Sequence, residues 1–154
     1  MEPVKIGVLL PPPPDEFGEW LADAAAFEAA GAEVLWIDAG PAADPLTLGA
    51  ALAALTYRSL LVTTLPEGEV PEPRALATVR RLSRDRFALS ADGDWERWER
   101  VPPPANRATW RETLADAVER GAEGLLVPAD SRLLDLLRNP VQPGGRQDIH
   151  LAQG

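Results

Sequence analysis

Six residues stand where a chain of repeated strand and helix units would put its chemistry: Asp38, Thr63, Thr64, Asp92, Gly93 and Asp94. Each falls at the carboxyl end of an apolar run that reads as a strand, and open α/β sheets and barrels place their ligand sites at those ends. Carboxylates and hydroxyls there could hydrogen-bond the polar edge of a ring or substrate, and Gly93 would let a ligand approach the backbone closely. Loop residues and helix caps use the same residue types at the same places, so both readings stand.

Other chemistry is sparse. His150 is the only histidine; an unperturbed imidazole titrates near neutrality and could act as a general base, but in a glycine-containing tail the ordinary reading is a surface or interface residue. Trp20, Trp36, Trp95, Trp98 and Trp110 could stack on a flat ligand, although their spacing favours core or interface packing. Asp92, Asp94, Glu96 and Glu99 could suggest a hard-cation site, yet Arg97 and Arg100 among them argue for a solvated, self-neutralising segment. There is no cysteine, which removes thiolate nucleophiles, disulfides and cysteine metal sites, and a single histidine disfavours zinc. No glycine-rich dinucleotide fingerprint, Walker sequence or serine-hydrolase elbow occurs.

The 154 residues, 45% of them hydrophobic, suit one domain, expected over 1–140 with a tail at 141–154. A net charge of −9, from 24 acidic and 15 basic residues, repels phosphate backbones and anionic membranes, so neither nucleic acid nor a membrane is an expected partner. No stretch has the apolar length of a membrane helix, the first apolar run is too short for a secretory signal, and the absence of cysteine suits a reducing compartment, so a cytoplasmic location is expected. Arginine supplies 14 of the 15 basic residues, a bias typical of bacteria with GC-rich genomes.

The elements that must position the six residues follow from apolar patterning. Continuous apolar runs at Val4–Leu10, Val34–Ile37, Leu60–Thr64, Phe87–Ser90 and Gly124–Val127 read as parallel strands covered on both faces. Between them lie helical patterns. One carries Phe17, Trp20, Leu21, Ala24 and Phe27 before Gly31. A second opens at Asp44-Pro45, a third spans about Arg74–Arg84, a fourth runs from Thr109 to Gly121, and a fifth is capped by Asp130. Trp95, Trp98 and Val101 share a helical spacing, which predicts a short covering helix between 95 and 104; Ile149–Leu151 could form an edge strand. Helix, glycine stop, strand and aspartate cap come in the same order twice, at 21–44 and at 114–130. About five βα units with right-handed crossovers are therefore expected, in an open doubly wound sheet or part of a barrel.

Several of these segments carry a family likeness. Phe17-Gly18-Glu19-Trp20-Leu21-Ala22-Asp23-Ala24, Phe27-Glu28-Ala29-Ala30-Gly31-Ala32, Leu35-Trp36-Ile37-Asp38 and Asp44-Pro45-Leu46-Thr47-Leu48 are similar to the opening of the luciferase-like monooxygenase family, particularly its deazaflavin-dependent bacterial members. The likeness continues through Ala51 to Thr64 and through Leu76 to Trp95, about the first hundred residues. It implies a parallel eight-unit barrel holding FMN or a deazaflavin at the carboxyl ends of its strands, a fold that typically takes about 250 residues. A shortened member with a partial, incomplete TIM-barrel-like sheet is what the length then allows, with Asp38, Thr63, Thr64, Asp92, Gly93 and Asp94 as candidate cofactor contacts. Asp38 is followed by Ala39, where the family frequently has histidine. The resemblance implies a flavin- or deazaflavin-dependent oxidoreductase of monooxygenase type. The alternatives are a catalytically silent relative serving as a structural or regulatory subunit, and a small-ligand binding module. Unpaired edges of a partial barrel further lead to the expectation of a homo-oligomer, most simply a two-fold dimer.

Overall fold

The chain order in space departs from the order in sequence at a single place. The computed structural model describes residues 3–139, in which strands β1 (Lys5–Leu10), β2 (Val34–Ile37), β3 (Leu60–Thr63), β4 (Phe87–Leu89), β5 (Trp98–Arg100) and β6 (Gly124–Pro128) alternate with helices α1 (Gly18–Ala29), α2 (Pro45–Leu55), α3 (Pro73–Leu82), α4 (Arg107–Arg120) and α5 (Ser131–Arg138). The six strands form one sheet in the order β4-β3-β2-β1-β6-β5, and every pair is parallel. From β5 the order is 5-6-1-2-3-4, the cyclic order of a barrel, cut between β4 and β5. The sheet is open, and the α/β class with a partial barrel-like sheet is as expected. The proposed tail at 141–154, with His150 and the edge strand at 149–151, lies outside the described residues.

Four of the five helices, all but α1, begin where a side chain satisfies an otherwise unpaired first-turn amide. Asp44 accepts from the Thr47 amide at 2.8 Å, Glu72 from Ala75 at 2.7 Å, Asn106 from Thr109 at 2.9 Å and Asp130 from Arg132 at 2.7 Å. Gly121 ends α4 in the left-handed region, at φ 76°, as the sequence signal implied.

All strand-to-strand steps with a helix between them run the same way across the sheet, so right-handed crossovers put α1 to α4 on one face. Helix α5, whose Leu133 joins the same core and which packs on α1, lies there too. The buried cluster reflects this. It joins Trp20, Phe27, Leu52, Val79, Trp110 and Leu133 from the helices to Val8, Leu35, Leu61, Phe87 and Leu125 from one face of the strands. Val34, Val62 and Leu126 alternate with those residues and are buried apart from that cluster, on the opposite face.

The segment at 95–104 corrects an expectation. Residues 98–100 form a strand beside β6, with Trp98 opposite Gly124, and not a covering helix. A Cβ on Gly124 would overlap the Trp98 indole, and one on Gly7 would stand 3.3 Å from the same ring. The two glycines clear a lane across β6 and β1 into which Trp98 lies. Trp95, from the β4–β5 crossover, closes over it: its ring centroid is 4.8 Å from that of Trp36 and 5.3 Å from that of Trp98, at interplanar angles of 69° and 64°. These edge-to-face contacts cover part of the opposite face of the sheet, which is helix-free among the described residues.

Candidate functional site

At the carboxyl ends of β1, β2, β3 and β6, joined by β5, a cleft of about 500 Å³ opens on the helix-free face. Its walls are Leu9, Trp36 and Pro128, one from each of three adjacent strands in mutual register, together with Pro11; its polar groups are Asp38, Thr64 and Arg100. That volume falls within the ordinary range for small-molecule sites, which combine apolar walls with a few convergent polar groups.

Two of the six sequence candidates, Asp38 and Thr64, meet in this cleft. Asp38 lies just past β2 and its Oδ1 accepts from the Gly40 amide at 3.0 Å, which fixes its orientation at the rim. Thr64 follows β3, and its hydroxyl donates to Ser90 Oγ at 2.9 Å, tying the ends of β3 and β4 together. Thr63 is fully buried; its hydroxyl donates to the Ile37 carbonyl at 3.0 Å and stitches β3 to β2.

The remaining three belong to the β4–β5 crossover, outside the cleft walls. Asp92 pairs with Arg80 at 3.6 Å, and Asp94 Oδ1 accepts from the Glu96 amide at 3.1 Å. Gly93 sits at φ −121°, a conformation open to any residue, so its role is spatial: a Cβ there would stand 2.8 Å from Trp95 Nε1. That indole nitrogen is the one buried side-chain nitrogen or oxygen without a hydrogen-bond partner among the described residues.

Arg100 and Trp36 carry more of the site than the sequence pointed to. Alternation along β5 turns Glu99 toward α4 and Arg100 toward the cleft. The Glu99 carboxylate takes Arg120 at 2.6 Å, which holds its pKa below the usual carboxylate range. The 92–100 segment is therefore not neutralised within itself as expected: Arg97 donates to the Gly121 carbonyl at 3.0 Å, Glu99 is paired by α4, and Arg100 has no carboxylate partner among the described residues. The tryptophans divide by face. Trp20 and Trp110 are core residues, with Trp20 Nε1 donating to the Pro11 carbonyl at 2.7 Å, whereas Trp36 is half-buried in the cleft wall.

Chemically, the cleft offers a carboxylate, a hydroxyl and a guanidinium around an apolar wall with an indole edge. It could hold a flat molecule with a polar rim and an anionic group. Its lining contains no nucleophile paired with a base. Among the described residues no three metal-ligating side chains gather, and no helix is long and apolar enough to cross a membrane. Compared with known proteins, the chain matches no family model and no curated protein.

Proposed function

We propose that this protein is a shortened, luciferase-like oxidoreductase of monooxygenase type that binds FMN or a deazaflavin in the cleft at the carboxyl ends of its strands. The observation that carries the reading is the convergence of Trp36, Asp38, Thr64 and Arg100 on one apolar-walled cleft at the position where parallel α/β sheets hold ligands. Leu9, Pro128 and Trp36 would face the isoalloxazine or deazaflavin ring, Asp38 and Thr64 would meet its polar edge, and Arg100 would take its anionic substituent. When bound, the cofactor supplies hydride transfer or oxygen activation. The chain's own residues bind and orient it and keep one face of the ring from water. A cytoplasmic location belongs to the same reading, as does a homo-oligomer, in the simplest form a two-fold dimer, since β4 and β5 are the two edges of the sheet.

A second reading is a catalytically silent relative acting as a structural or regulatory subunit. It is favoured by the Trp36, Trp95 and Trp98 contacts, which take up part of the sheet face that the cleft also uses. Titration with FMN and with a deazaflavin, followed by visible absorption and tryptophan quenching, separates the two. The first reading expects saturable binding in the micromolar range that Arg100→Ala weakens about tenfold through loss of a charge-assisted contact. No saturable binding of either cofactor would leave the silent subunit, and thermal stabilisation by another metabolite alone would instead indicate a ligand-binding module.

A further inference from the structure

Among the described residues the five exposed large apolar side chains lie at the two ends of the strands, and the charge around them has opposite sign at each end. At the amino end, where α2 and α3 finish, Leu55, Tyr57 and Leu82 are 43%, 81% and 52% exposed. Arg58, Arg81 and Arg84 stand exposed among them. At the carboxyl end, Val70 is 82% exposed at the tip of the β3–α3 loop, between exposed Glu67, Glu69 and Glu72, and no basic residue occurs from 64 to 73. Phe17, 40% exposed beside Asp15 and Glu16, extends the same acidic end.

The arginine-rimmed patch is held rigidly. The buried Glu28 carboxylate accepts the amides of Tyr57, Arg58 and Ser59 at 2.7–3.0 Å, fixing the α2–β3 turn. Arg86 donates to the Thr56 and Ser59 carbonyls at 3.0 Å each, which ties that turn to the start of β4. Arg84 and Asp85 both sit in the left-handed region, at φ 56° and 63°, where non-glycine residues are costly, and this turn places Arg84 outward beside Leu82. A fixed apolar surface rimmed by cations is matched, on the same molecule, by an apolar tip rimmed by anions.

We propose that copies of this chain associate head to tail, the Leu55, Tyr57 and Leu82 patch of one copy seating on the Val70 loop of the next. The occupant is a second copy because the chain itself carries the surface of complementary charge and matching apolar character. Such a contact is heterologous: it closes into a ring if the rotation per copy allows and otherwise extends as a chain. It uses the two ends of the strands, not the backbone of an edge strand, and holds under either reading of the cleft.

Sedimentation velocity at low ionic strength tests this with two charge-reversed variants, R81E/R84E and E67R/E69R. The wild-type protein should gain mass with concentration and lose that gain as salt rises. Each variant alone should stay at its smallest species, with association weakened tenfold or more, while an equimolar mixture of the two should associate again, because each then meets a partner of opposite sign. Circular dichroism shows whether each variant is folded; if the arginine pair is not tolerated, V70E on the loop tip should lose the association by itself. A wild-type mass independent of concentration would overturn the proposal. So would either folded variant behaving as wild type, or a mixture that stays apart.

Discussion

Glu28 shows how a residue that looks like ordinary helix surface becomes a structural anchor. It stands on α1 among alanines, is only 5% exposed, and receives three consecutive amides from a turn about thirty residues further along the chain. Removing the carboxylate leaves those donors buried without an acceptor, so Glu28→Ala should lower the unfolding free energy by about 3 kcal/mol, and Glu28→Gln by less, in urea denaturation. The pH dependence has a definite sign. Burial raises the Glu28 pKa, but the amides of Ser59, Arg58 and Tyr57 outweigh it, and the group lies below its ordinary 4.5. A carboxylate depressed in the folded state contributes fully above its unfolded pKa, and the contribution is lost as pH falls through the folded value. Thermal melts from about pH 5 down to 2 should therefore show a steeper loss of Tm for wild type than for Glu28→Gln. Equal slopes would show that the carboxylate is not what holds the turn.

At the scale of elements, β5 depends on an absence. Trp98 can lie against the sheet because Gly124 and Gly7 have no side chains, so Gly124→Ala should push the indole away and destabilise the protein by about 1–3 kcal/mol. Near-UV circular dichroism should report lost coupling between Trp95 and Trp98 in the same variant, and an unchanged spectrum would count against this packing. The same dependence explains what could be read from the sequence. Five strands and five helices announce themselves through continuous apolar runs, aspartate caps and the Gly121 stop. β5 has only three residues, too few for a period of two to show, while Trp95, Trp98 and Val101 fit a helical spacing by coincidence. Its partner becomes visible only once Gly124 is opposite. Likewise Asp38 and Thr64 were legible because each follows a recognisable strand. Arg100 and Pro128 were not, because their place in the cleft requires β6 to insert beside β1 and β5 to lie outside it.

Over the whole molecule, stability should fall from the middle of the sheet to its rims. β1 and β2 stand in the middle, flanked on both sides, and Val8 and Leu35 are fully buried, whereas β4 and β5 have three residues each and one neighbour each. Amide hydrogen exchange should therefore be slowest in β1 and β2, near the limit set by global unfolding, and faster by orders of magnitude in β4 and β5. Uniform protection across the sheet would contradict that ranking.

The break in the cyclic order falls between two strands that follow one another in the chain, while the first and last described strands are already neighbours inside the sheet. Between the described strands, the cyclic order leaves room for growth in the middle of the polypeptide. To enlarge this architecture to an eight-membered closed cylinder, new strand and helix pairs would have to be spliced in between residues 90 and 97, where the crossover now carries Trp95 across the gap.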